Sequence, residues 1–168
     1  YMALSKIQPA SMDLTANYSF TGTNSVAGID YAEKKLATQT ASSSSTLQFT
    51  SGIDSSYNIY KFRFINMHPA TNNVYFSFQC STDSGSNYNT QITSTWINAF
   101  HNENDASTGL EYQTGNDQAN GTSFQYLSQT TGNENDESCA GELFLFDPSS
   151  TTFVKHFIAN GTGFVVDG

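Results

Sequence analysis

The string Asn-Glu-Asn-Asp occurs twice, at Asn102-Glu103-Asn104-Asp105 and at Asn133-Glu134-Asn135-Asp136. Every side chain in it carries oxygen. Asn102, Glu103, Asp105, Asn133, Glu134 and Asp136 are therefore the first candidates for binding chemistry. Calcium takes about six to eight oxygens from side chains of this kind. An EF-hand would need the D-x-[DN]-x-[DN]-G spacing with a distal Glu, and neither copy has it. The sequences around the two copies do not match, so they are not a structural repeat. The expectation is two loop tips that face a host or a neighbouring subunit. No cofactor or metal is expected; calcium is the ion these donors would take.

Other reactive groups are sparse. His68, His101 and His156 show neither H-x-H nor H-E-x-x-H spacing, so zinc is not indicated. His156 alternates with Val154 and Ile158 and reads as a packed strand residue. There is no G-x-S-x-G nucleophile elbow and no G-x-x-x-x-G-K phosphate loop. A glycosidase needs two carboxylates close only in space, and Glu103, Asp105, Glu134 and Asp136 would be its first suspects. Solvated loop charges explain them more simply, and the chain is read as a non-enzyme. Tyr57, Tyr75, Tyr88, Tyr112 and Tyr126 fall on solvent-leaning faces or in loops. Tyrosine rings can stack on sugar faces, although rings on strands usually pair across a sheet.

These residues need elements to hold them, and after Thr46 the hydrophobic period is two. Tyr60, Phe62 and Phe64 alternate with Lys61, Arg63 and Ile65. Val74, Phe76, Phe78 and Cys80 alternate with Tyr75, Ser77 and Gln79. Trp96, Asn98 and Phe100 alternate with Ile97 and Ala99. Each pattern predicts a half-buried strand. Leu143, Phe144, Leu145 and Phe146 are apolar on both faces, as in a strand packed on two sides or one facing another subunit. Further strands are expected over Phe153–Ile158 and Phe164–Val166. Turn formers punctuate the chain at Asp83-Ser84-Gly85, Asn116-Asp117, Asn120-Gly121, Asp147-Pro148 and Asn160-Gly161. His68-Pro69 ends a strand. The fold class is all-β, an antiparallel β-sandwich of jelly-roll type.

Residues 1–45 differ. They are poor in aromatics and end in the run Ser42 to Ser45, which reads as a linker. Asp30 to Leu36 could form a helical turn or two. The expected organisation is an extended N-terminal arm and linker over 1–45 and a β-domain over 46–168. Met2 reads as the natural start and Tyr1 as an addition; no secretory h-region follows.

Composition excludes several partners. With 168 residues the chain can bury a core without disulfides. Net charge is -9, with six Lys and Arg, which disfavours nucleic acid and anionic membranes. Charged residues make up 12% and aromatics 14%, a balance suited to exposed β-surfaces. Cys80 and Cys139 do not make a disulfide framework and are read as two buried thiols. No apolar run is long enough to span a bilayer.

Two stretches carry a resemblance. Met2-Ala3-Leu4-Ser5-Lys6-Ile7-Gln8, followed by Asp13 to Thr23 ending Phe20-Thr21-Gly22-Thr23, resembles the N-terminus of tail-fibre-like virion proteins of marine tailed bacteriophages, of the cyanophage and pelagiphage type. Phe49 to Tyr57, Tyr60-Lys61-Phe62, Asn66-Met67-His68-Pro69, Phe78 to Tyr88, Ala99 to Glu103 and Gly141 to Phe157 resemble a structural β-domain of the same proteins. The motifs are specific in combination and weak singly. The resemblance implies a virion component assembled in the host cytoplasm, where Cys80 and Cys139 stay reduced. Asn17, Asn120 and Asn160 would then not serve as glycosylation acceptors. It implies an arm that docks onto other virion proteins through Leu4, Ile7, Leu14 and Phe20. It also implies a homo-oligomer, a trimer by analogy; the strand Leu143, Phe144, Leu145 and Phe146, apolar on both faces, is the candidate subunit interface. A tail fibre or host-recognition appendage that meets a host glycan is the leading role. Capsid decoration, or a carbohydrate-binding module, is the alternative. Such domains run on into a further pair of strands, whereas here the sequence stops at Gly168.

Overall fold

The computed structural model describes residues 33–164. By contacts the chain divides into two units, residues 1–36 and 37–168, and the described strands all belong to the second. The arm residues Leu4, Ile7, Leu14 and Phe20 lie outside the described residues. Among the described residues there is no helix, and residues 33–36 of the anticipated helical turn are without regular structure.

Seven strands are described: β1 (Ile59–Met67), β2 (Val74–Phe78), β3 (Ile97–His101), β4 (Thr108–Tyr112), β5 (Gln125–Thr131), β6 (Cys139–Phe146) and β7 (His156–Gly163). All pairing is antiparallel. β6 lies between β1 and β7, β2 pairs with β5, and β3 pairs with β4. The fold is thus all-β with antiparallel sheets.

The alternation read in β1 is the one that packs. Tyr60 and Phe64 are buried, while Arg63 and Ile65 are exposed. On β6, Leu143 is buried and Leu145 packs beside it, so the odd positions face inward. Phe64, Leu127 and Leu143 form the buried cluster, and Phe62, Met67, Phe76, Phe78, Leu145, Phe157 and Ala159 close around it. Side chains of β1, β6 and β7 therefore meet side chains of β2 and β5. Ring contacts seal the junction: Phe64 lies tilted against Phe76 at 4.9 Å, and Phe78 meets Phe157 edge-on at 5.2 Å. Each fully buried side chain of this kind stabilises by about 1.5–3 kcal/mol.

Gly161 sets how close the two sheets come, and Gly141 how closely β6 meets β7 within its own sheet. Gly141 and Gly161 are cross-strand partners on the inner face of β6 and β7. A Cβ on Gly161 would lie 2.4 Å from the Leu127 carbonyl oxygen, and one on Gly141 would lie 2.2 Å from that of Asn160. Only glycine permits these approaches. The Asn160-Gly161 pair, expected as a turn, thus sits inside β7.

That shifts the last strand. It runs over His156–Gly163, not Phe153–Ile158, and Phe164 lies outside it; Val165 and Val166 fall outside the described residues. His156 is exposed on β7, not packed. β4 and β5 carried no clear periodic signal. In β5 the buried positions include Gln125, Ser128 and Thr131, so burial and polarity do not alternate. The Ser128 hydroxyl accepts the Phe76 N–H at 3.1 Å, where the β2–β5 register slips between Tyr75 and Ser77.

Buried amides replace an apolar core at the far end of β5. Gln125 is 2% exposed; its Nε2 donates to the Asn116 carbonyl at 3.0 Å, and its Oε1 accepts from Ser94 Oγ at 2.5 Å. Gln79 Nε2 donates to the carbonyls of Thr122 and Ser123. These bonds tie the irregular segments 79–95 and 113–124 to the β2–β5 sheet. Buried amides are tolerated only when satisfied in this way.

Candidate functional site

The outer face of the β1–β6–β7 sheet gathers the clearest set of polar groups. Arg63, Glu142 and Asn160 stand in register across the three strands. Lys61 Nζ lies 3.2 Å and Arg63 Nε 3.0 Å from Glu142 Oε1. Alternation places all these side chains opposite the core. The Glu142 carboxyl is held below its ordinary value, chiefly by the hydrogen bond from Lys61 and then by that from Arg63. Lys61 also sits 5.0 Å above the ring of Phe144, within cation–π range. Phe144 and Phe146 stack at 6.4 Å, and Ile59 and Ile158 flank them, each 56% exposed. Where the side chains shorten to Ala140, Gly141 and Thr162, a shallow groove of about 440 Å³ opens beside Arg63, Ile65 and Glu142.

The groove exists because β1 bulges. Its register slips between Phe64 and Met67, and Asn66 adopts a φ of 51°. Asparagine tolerates that left-handed conformation better than most residues. Ile65, 70% exposed, follows Lys61 and Arg63 on the outward alternation and lines the groove. An arrangement of one carboxylate, two cations and apolar flanks can dock a surface. It has no nucleophile paired with a base.

Leu143, Phe144, Leu145 and Phe146 divide between the two faces. Leu143 and Leu145 are spent on the core, and Phe144 and Phe146 face outward and are half-buried. The first NEND copy forms the β3–β4 hairpin turn. Asp105 has a φ of 57° and donates its N–H to the Asn102 carbonyl at 3.0 Å, while its carboxylate meets His101 Nε2 at 2.8 Å. Asn104 Oδ1 accepts the Ala106 N–H at 2.9 Å. Glu103 is exposed. The second copy, Asn133 to Asp136, is an exposed turn between β5 and β6. It is organised by a residue the sequence did not single out, Glu137. That residue is 4% exposed, and its carboxylate accepts the Glu134 N–H at 2.7 Å. His68 Nδ1 lies 2.6 Å from the Glu137 carbonyl, which ties the β1–β2 connection to this loop. Among the described residues no three His, Cys, Asp or Glu side chains gather to hold a metal ion.

The tyrosines do not form one platform in their ring contacts. Tyr75 and Tyr126 stack on each other at 4.0 Å. Tyr57 packs edge-on against Tyr60 at 5.9 Å. The Tyr88 hydroxyl lies against Gly85. Tyr112 donates to Asp117, whose carboxylate raises the phenol above its ordinary value. Cys80 and Cys139 are free thiols, half-buried and buried, and burial raises both.

Tyr57, Tyr75 and Tyr112, read from the sequence as solvent-leaning, are exposed; the exposed aliphatic side chains are what sequence reasoning missed. Among the described residues, sixteen large apolar side chains are exposed and six apolar side chains are buried. Ile97 and Leu110 on the β3–β4 hairpin are 69% and 76% exposed. The period-two signal located the strand but not which of its faces is covered. Comparison of the chain with protein-family models, with curated proteins and with solved structures returned no match.

Proposed function

We propose that this chain is a non-enzymatic structural protein of a tailed-phage virion, most simply a tail-fibre or host-recognition appendage component. The observation that carries the reading is the imbalance of apolar burial, with more large apolar side chains exposed than buried among the described residues. On the outer face of the β1–β6–β7 sheet Ile59 pairs with Phe146 and Ile158 with Phe144, and adjoining apolar surface of this kind marks a site of association. A subunit that completes its burial against copies of itself would show such a face. The motifs at residues 2–23 and 46–158 point to the virion. Free thiols at Cys80 and Cys139 suit assembly in the host cytoplasm.

In this reading residues 46–168 form a β-sandwich of jelly-roll type. Its two layers are β1–β6–β7 and β2–β5, and the cluster around Phe64, Leu127 and Leu143 supports that arrangement. The N-terminal arm docks onto other virion proteins, and the body assembles as a trimer. The NEND turns face a host glycan or a neighbouring subunit.

Light scattering of residues 1–168, repeated with residues 1–45 removed, tests the proposal. A stable trimer in both supports a body that carries its own interface. Loss of the trimer with the arm would assign assembly to residues 1–45. A monomer in both overturns the self-assembling appendage and favours a carbohydrate-binding module or a capsid-decoration subunit that needs its lattice.

A further inference from the structure

One margin of the β1–β6–β7 sheet is open. Among the described residues β7 pairs with β6 alone. That pairing runs without a slip along all eight residues of β7. β1, at the other margin, is interrupted by its bulge between Phe64 and Met67. Edge strands are ordinarily blunted by bulges, prolines or charged side chains. β7 has no bulge, no proline, and no Lys, Arg, Asp or Glu. Its outer row of N–H and C=O groups is a template for one more strand.

A strand without a sheet lies in the same compact unit. Residues 37–41 are exposed and without regular structure, and their backbone makes no hydrogen bond to a described residue. Ordering such a run costs entropy that contacts must offset, and within the chain only the Gln39 side chain bonds, to the Gln48 carbonyl. Thr38 and Thr40 favour extended backbone. The run leads into Phe49, which packs edge-on against Phe62 of β1 at 5.6 Å. It therefore leaves the body beside β1, the margin opposite β7. Charge selects the partner. Copies of a chain with net charge -9 repel one another, and they meet most easily where neither surface is charged. Residues 36–53 hold no charged side chain, so the free run and the free edge both satisfy that condition.

We propose that residues 37–41 of one copy add as a strand to the free edge of β7 in a second copy. Main-chain hydrogen bonds carry the contact, as in strand addition generally. The run and the edge are different surfaces at opposite margins, so the contact is heterologous and repeats until it closes into a ring or grows as a chain. Association holds or tightens as salt rises, because salt screens the repulsion between the acidic bodies. The inference rests on reading the chain as a self-assembling subunit.

Two variants of the full chain each remove one half of the contact. Ala37→Pro with Thr40→Pro takes one N–H from each of the two alternating sets of the run, where the fold uses neither. Ile158→Lys puts a charge on the β7 edge at an exposed position, and Thr162→Lys repeats that test at the other end of the strand. Circular dichroism spectra that match the wild type show that the variants fold. Light scattering is expected to give an oligomer for the wild type and a monomer for each variant alone, with affinity at least about tenfold weaker. A mixture of the proline and Ile158→Lys variants is expected to reach twice the monomer mass and no more, since only one intact run and one intact edge can meet. If the lysine variants dissociate and the proline variant keeps the wild-type mass, the edge takes something other than residues 37–41 and the proposal is overturned. If the proline variant dissociates and both lysine variants keep that mass, the run binds elsewhere and the proposal is equally overturned. A wild-type oligomer that no variant changes removes the strand addition and leaves the assembly-subunit reading standing. A monomeric wild type overturns both.

Discussion

Replacing Gly161 with alanine tests how closely the two sheets approach. Gly161 has no left-handed φ, so the backbone itself accepts alanine. By the unfolded-state effect alone the change would stabilise by about 0.4–1 kcal/mol. Sterics oppose it. The new Cβ would lie 2.4 Å from the Leu127 carbonyl oxygen, where ordinary contact begins at 3.4 Å. Backbone on both sides must part by about 1 Å, in a cluster packed to crystal-like density. A gap of that size forfeits about a quarter to a half of each dispersion contact it opens, and overpacking costs about 1–3 kcal/mol. The net expectation is a loss of about 1–2 kcal/mol, or about 2–8 °C in melting temperature for a chain of this size. Gly115 is the control, because its Cβ would meet nothing within 4 Å. Gly115→Ala should raise the melting temperature by about 1–4 °C. Urea denaturation followed by circular dichroism measures both, with a shifted midpoint and an unchanged slope. A Gly161→Ala variant as stable as Gly115→Ala would refute the close approach of β7 to β5.

The polar structure sets further expectations. Gln125→Leu leaves the Asn116 carbonyl without its amide donor and Ser94 Oγ without its acceptor. A loss of about 2–3 kcal/mol in denaturant titration is expected. Asp83 accepts from Ser81 Oγ and from the Asn87 backbone and side chain, which lowers its carboxyl to about 2. Because its folded value is depressed, the stability it contributes is complete above the ordinary carboxyl range. That contribution is lost as pH falls through about 2. Asp54 and Glu142 are lowered in the same sense. Melting temperature should therefore drop between about pH 4 and pH 2, and less steeply in Asp83→Asn. EDTA should leave the melting temperature unmoved, since the Asn104 and Asp105 oxygens engage Ala106 and His101 and Glu137 organises the second turn; a fall would give the loops a bound cation.

The elements legible in the sequence are those in which burial follows side-chain period. Tyr60 and Phe64 on β1, and Phe76 and Phe78 on β2, turn one apolar face to the core, so alternation found them. Leu143 to Phe146 was legible as a strand, and its two faces do differ in what they meet. β5 was hidden because Gln125, Ser128 and Thr131 are buried through hydrogen bonds, which leave no hydrophobic pattern. β7 was misplaced because Asn160-Gly161 has the chemistry of a turn. Its glycine is there for a carbonyl of β5, a contact with a strand far away in sequence. The NEND turns were legible as loops, but Glu137, which organises the second, was not. A single Glu next to exposed acids carries no sign of burial. The outer-face triad needed the register of β1, β6 and β7, which no local pattern contains.

The order β1–β6–β7 has a mechanical consequence. β1 and β7 both run antiparallel to β6, so they run parallel to each other at opposite margins of one sheet. Tension carried along the chain would pull β1 by its start at Ile59 and β7 by its end at Gly163. Those two points lie at opposite ends of the sheet, and the pull is along the strands. The ladder bonds run across the strands, so many share the load in shear at once. Peeling, by contrast, would break them one at a time. A body wired in this way transmits force from one end to the other before it opens.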